Sequence, residues 1–189
     1  MSPGVVCLKA IPWLVALAAV YVSIVSAPGV IGFLGAGLAV VAIAIVIIDW
    51  RSYIIPDGLN AAGLALGLLH AAALTPEFAP WGIAMALMRG AMLALMFFVI
   101  RVIYAKVRGR QGLGLGDVKL AAIAGAWLDW ITIPVAIELA VMTALCGYVI
   151  QQYVLGRPVS LTNKVPFGAF LAPAIWVSWV LETTWLRAL

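Results

Sequence analysis

Two aspartates stand where an apolar chain can least accommodate them. Asp49 closes the run VVAIAIVIID, and Asp117 opens GDVKLAAIAGAW. An ionisable group at membrane depth is costly and is a functional hypothesis by default. Two carboxylates held close together cannot both ionise easily, so one keeps a proton. Such a pair can act as base and acid on a water bound between them. The alternative for either acid alone is an ordinary helix-end carboxylate reaching headgroup water. Which reading holds depends on whether the intervening elements bring the two side chains to one place.

Those elements are set by composition. Of the 189 residues 66% are hydrophobic and 10% charged, against about 25% charged in a soluble domain. The chain therefore reads as an integral membrane protein, one transmembrane domain over 1–189. A crossing helix needs about 20 apolar residues. Seven candidate spans follow, at 10–27, 29–48, 58–75, 81–104, 117–131, 133–154 and 166–186, separated by turn-like breaks. The expected fold is all-α, a polytopic helical bundle, with 10–27 an uncleaved N-terminal anchor and 29–186 the core. The fifth span is short, so it begins inside the membrane or is tucked among its neighbours.

With the N-terminus in the cytoplasm, Lys9, Arg51, Arg101, Lys106, Arg108, Arg110, Lys119, Arg157 and Lys164 all fall inside, nine of the 11 basic residues. Asp49 and Asp117 then share the cytoplasmic end. The net charge of +4 reflects orientation, and no basic stripe interleaved with aromatics points to nucleic acid. Cys7 and Cys146 fit no metal-spaced motif and read as small buried side chains. No metal or organic cofactor is called for.

The glycines of GLGLGD have two physical uses. Gly114 and Gly116 permit backbone angles other residues avoid, and they let another backbone, such as an extended peptide, come close. A dinucleotide loop is excluded, because that fingerprint needs a preceding strand. The segment GLGLGDVKLAAIAGAW resembles the Gly-x-Gly-Asp-x-Lys signature of the type IV prepilin peptidases and the related archaeal preflagellin peptidases. DWRSYIIPDGLN resembles their other aspartate signature, and VPFGAFLAP at 165–173 their Pro-Phe-Gly element. The three occur in the family's order and cover about residues 30–180.

The resemblance implies a membrane aspartic endopeptidase with Asp49 and Asp117 catalytic. It implies cleavage of the basic leader of a pilin-like, Tad-type or flagellin-like precursor at the cytoplasmic face, an inner-membrane location and lipid as surroundings; oligomeric state is left open. Gly114, Gly116 and Lys119 would form the active-site loop, with Lys119 either snorkelling to headgroups or orienting the loop. Pro56, Asp57, Pro166, Phe167 and Gly168 would form turns, structural or substrate-touching, with Asp57 read as a helix cap. Larger members carry a zinc-binding Cys-x-x-Cys insertion and also methylate the new N-terminus. This chain lacks that pattern, so methylation is not carried over. Rival readings are a presenilin-like intramembrane protease, whose Pro-Ala-Leu motif is absent, and a non-catalytic scaffold or transporter subunit.

Helix ends suggest unequal roles. Asp117 opens a helix, where the dipole favours a carboxylate, and Asp49 closes one, where it does not. Asp117 is thus expected to carry the charge and Asp49 the proton. Elsewhere, Arg89 and Glu138 are expected to pair at similar depth, and His70 to be a hydrogen-bonded or interface histidine. Trp81, Trp127, Trp130, Trp176, Trp179 and Trp185 suggest an outer aromatic belt. Gly35, Gly37, Gly63 and Gly67 suit close helix packing.

Overall fold

A computed structural model describes residues 3–110, 112–154 and 166–186, with the side chains of 3–11, 154 and 186 outside the description. The connection carrying Arg157 and Lys164, the terminal Arg187 and the side chains of Cys7 and Lys9 therefore lie outside the described residues. Seven α-helices form, α1 Pro3–Ser26, α2 Val30–Ser52, α3 Asp57–Leu74, α4 Ala79–Arg108, α5 Leu115–Trp127, α6 Thr132–Val149 and α7 Gly168–Leu181. Short π turns continue α6 and α7. No strand occurs among the described residues, and the protein is a helical membrane bundle. Four segments are each long and apolar enough to cross a bilayer alone: Val30–Ser52, Asp57–Leu74, Pro76–Arg108 and Thr132–Tyr153.

The short fifth span lies at the centre. α5 packs against α3, α4 and α7, while α2 joins α1, α3 and α7, and α6 lies mainly on α7. Alanine and glycine make this possible on the side of α5 that meets α4, where the two backbones come together with almost no side chain between them. A Cβ on Gly125 would come within 2.6 Å of the Arg89 carbonyl, and one on Gly90 within 2.8 Å of the Ala122 carbonyl. Without a solvent-driven hydrophobic force between helices in lipid, such close backbone approach is what holds them together. Gly35, Gly63 and Gly67 seat Trp179, Ile123 and Trp127 in the same way, and Gly37 faces Leu66.

The core differs from the expected belt. Trp127 and Trp179 are 1% and 0% exposed, whereas Trp81, Trp130 and Trp185 lie open. Trp179 Nε1 donates to His70 Nε2 at 3.0 Å, and His70 stacks on Trp127 at 4.7 Å. Trp127 Nε1 donates to the Gly63 carbonyl at 2.9 Å. This buried cluster ties α3, α5 and α7 together, with about 0.5–1.5 kcal/mol per aromatic pair beyond area burial. Trp176 is half-buried and donates to Ser23 Oγ.

Two further expectations are corrected. Arg89 pairs with Asp129 at 3.5 Å and donates from Nε to the Gly125 carbonyl. Glu138 is exposed on α6, which packs on α7 and not on α4. Equal depth did not make them neighbours, because helix order decides which faces meet. Cys146 is exposed for the same reason: most of α6 points away from the bundle. Glu182, which the sequence puts with Glu77 and Asp129 at the outer end, is not an open surface acid. It is 3% exposed, and its Oε2 accepts the Thr132 hydroxyl and, at 3.1 Å, the Asp129 amide at the start of α6.

Candidate active site

The connectivity puts the end of α2 and the starts of α3, α5 and α7 at one end of the bundle. There the chain turns sharply after Asp49. Tyr53, with φ 54° and ψ 29°, caps α2 in the left-handed region and donates its amide to the Asp49 carbonyl at 2.9 Å. A non-glycine residue in that region costs energy and points to a constrained site. The turn returns Ile55 to the bundle, 6% exposed, before Pro56 caps α3.

Asp49 and Asp117 line one cavity of about 280 Å³ with Tyr53, Ile54, Ile55, Asp57, Gly114, Leu115, Gly116 and Lys119. Each carboxylate is held by the start of a helix. Asp117 is the third residue of α5, and its Oδ2 accepts the Gly114 amide at 3.0 Å, the returning half of a capping box. Asp49, 4% exposed, accepts the Ala169 amide at 2.9 Å from the start of α7. The Gly168 amide lies close enough to influence both carboxylates. Donors of this kind favour negative charge at a helix start.

The α7 amides were invisible in the sequence, and they remove the asymmetry on which the expected charge assignment rested. Both aspartates now face a helix N-terminus. The Pro-Phe-Gly element acquires a physical task. Pro166 and Phe167 accept the amides of Ala169 and Leu171 and open α7, while Gly168 lets its first turn reach Asp49. A Cβ on Gly168 would sit 3.0 Å from Asp49 Oδ2 and 2.5 Å from Ile55 Cδ1.

The loop glycines act differently from expectation. Gly114 is extended, at φ −75° and ψ 156°, and neither it nor Gly116 has positive φ. Close approach is the operative property, and the neighbour is the protein itself. A Cβ on Gly116 would lie 3.1 Å from Ile55 Cβ. Ile55 is thus wedged between the first turns of α5 and α7. A sequence reading passes over it because an isoleucine beside proline carries no chemistry of its own.

Asp57 is also corrected. Pro56 occupies the cap position of α3 without a side-chain bond, and Asp57 is the first helical residue. Its carboxylate pairs with the Lys119 ammonium instead, joining α3 to α5 at the cavity mouth. Gly112 and Leu113, just before α5, lie against α4. Arg101 Nε donates to the Leu113 carbonyl at 3.0 Å, and a Cβ on Gly112 would strike the Tyr104 ring.

Residues 36–150 match the family described as the type IV leader peptidase family. Leader peptidase HopD of Salmonella typhimurium is 37% identical over 128 residues, covering 68% of this chain and 79% of that protein. The Pseudomonas putida prepilin leader peptidase/N-methyltransferase is 31% identical over 138 residues, 72% of this chain. The chain spans only 45% of that longer relative. The Aeromonas salmonicida protein of the same name is 32% identical over 167 residues, with 87% and 55% coverage. No solved structure matches.

Proposed function

On the premise that the chain belongs to the type IV leader peptidase family, we propose that it is an aspartic endopeptidase acting on pilin-like precursors at the cytoplasmic face of the inner membrane. The observation that carries this is the shared cavity of Asp49 and Asp117 at one end of the bundle. Two adjacent carboxyl groups share a proton. The ionised member takes a proton from a bound water as the water attacks the scissile carbonyl. The protonated member donates to the carbonyl oxygen; the carboxyl that took the water's proton then passes it to the leaving nitrogen as the C–N bond breaks, and a hydroxyl proton of the diol returns to the other carboxylate. The titration belongs to the pair, so neither residue has a fixed role.

The apolar segment of a precursor would lie in lipid against the bundle, with the scissile stretch extended into the cavity. At about 280 Å³ the cavity is at the small end for ligand sites, which suits an extended backbone and a few side chains. Lys119, bridged to Asp57, would hold the loop that carries Asp117. The proposal is confined to the peptide-cleaving step. The HopD relative is named for that step alone, and the chain spans less than half of the P. putida relative whose name includes methyl transfer.

Purified Asp49→Asn and Asp117→Asn variants, reconstituted with a pilin precursor, should lose cleavage by at least about 10³-fold while inserting in the membrane normally. Full processing by either variant removes the paired-carboxylate mechanism.

A further inference from the structure

The peptide group between Leu113 and Gly114 makes two hydrogen bonds in opposite directions. Its N–H, that of Gly114, donates to Asp117 Oδ2 at 3.0 Å. Its carbonyl, that of Leu113, accepts Arg101 Nε from α4, also at 3.0 Å. A trans peptide is planar, so its C=O and N–H point to opposite edges. One rigid plane therefore stands between a guanidinium and a carboxylate. The guanidinium donates into one edge, and the other edge donates to the carboxylate.

That plane needs holding. Gly114 has no Cβ to resist rotation of the peptide before it. Turned over, the group would aim its carbonyl at Asp117 and lose the capping bond at the start of α5. Arg101 opposes the turn by binding the carbonyl on the far edge with a charge-assisted hydrogen bond. Hydrogen bonds in series also polarise one another, which makes the Gly114 N–H a stronger donor. The chain just before is fixed as well. Gly112 lies against the Tyr104 ring, where a Cβ would be 2.4 Å from Cε1. Tyr104 shares a face of α4 with Arg101, three residues away.

We propose that Arg101 is a positioning residue for the reaction. Through the Leu113–Gly114 peptide it keeps the Gly114 N–H on Asp117 and so fixes that carboxylate in the cavity it shares with Asp49. On the peptidase reading, its loss lowers turnover and leaves substrate binding alone, since Arg101 is not among the residues that line the cavity.

Substitutions at 101 separate this role from packing. Gln carries its Nε2 as many bonds from the backbone as Arg carries Nε, so Arg101→Gln keeps the donor to Leu113 without the charge. Arg101→Met keeps the stem and has no donor. Arg101→Glu puts an acceptor against the carbonyl. All three lack the terminal guanidinium nitrogens, so differences among them report on the bond to Leu113. Each full-length variant is reconstituted in nanodiscs. Turnover is measured on a pilin precursor, and hydrogen exchange of the Gly114 amide by NMR of glycine-labelled protein. The kcat should fall in the order wild type, Arg101→Gln, Arg101→Met, Arg101→Glu. Arg101→Met should lie about tenfold to a hundredfold below wild type, with KM within about twofold throughout. Exchange at Gly114 should quicken in the same order. Equal kcat for Arg101→Gln and Arg101→Met, or equal exchange, overturns the proposal. So does a loss confined to KM, which would put Arg101 in substrate binding. If wild-type protein cleaves no precursor, the peptidase reading fails on its own and exchange at Gly114 still decides. Faster exchange in Arg101→Met than in Arg101→Gln then upholds the tether, and equal rates overturn it. If Arg101→Met does not fold, Arg101→Gln against Arg101→Glu makes the same comparison.

Discussion

Gly168 leaves no room for a methyl group between Asp49 and Ile55. Gly168→Ala should push the first turn of α7 away from Asp49 and lower kcat by on the order of tenfold to a hundredfold, as small misplacements at active sites do. Ile55→Val removes the Cδ1 atom that the new methyl would strike, so the double variant should recover part of the loss. Equal kcat for the single and double variants would show that Ile55 is not the obstacle. Asp49 and Asp117 could be picked out of the sequence because ionisable groups in apolar runs are rare. Ile55 and the Ala169 amide could not, since an ordinary isoleucine and a backbone N–H acquire importance only when three helices converge. The role of Asp57 was misread for a related reason. Helix-start position suggests capping, whereas its partner Lys119 lies 62 residues away.

At the scale of elements, hydropathy placed the seven helices to within a few residues, apart from α1, which starts at Pro3. It gives depth and says little about rotation or neighbours. That is why Arg89 was matched with Glu138 when its partner is Asp129, and why Trp127 and Trp179 were assigned to a belt when they form the core. The α4–α5 contact is the tightest consequence of that hidden order. Gly125 faces backbone, the Arg89 carbonyl and Gly90 Cα, at 2.6 and 2.7 Å from a virtual Cβ. Backbone cannot swing aside as a side chain can, so Gly125→Ala should cost about 1–3 kcal/mol. The loss should be read as a lower melting temperature in detergent. An unchanged melting temperature would mean that the two helices separate freely.

For the molecule as a whole, the basic residues set a testable orientation. In a cysteine-free background, Arg108→Cys should react with an impermeant maleimide only after spheroplasts are opened, and Phe78→Cys should react in intact spheroplasts. The opposite pattern would move the cavity to the outer face and remove access to cytoplasmic precursors.

The unequal lengths of α4 and α5 have a physical outcome at this scale. Measured from the level where Arg89 meets Gly125, α4 continues for about 28 Å to Arg108, while α5 ends after about 15 Å at Leu115. The central helix stops roughly two and a half turns short of its neighbour, and Leu113 just before it is held to α4 by Arg101. Among the described residues the surface is thus recessed around the two carboxyls. A recess this deep can fill from above with solvent while its sides remain in contact with acyl chains. A peptide bond and the molecule that hydrolyses it could then meet there, one arriving through oil and the other through the aqueous phase.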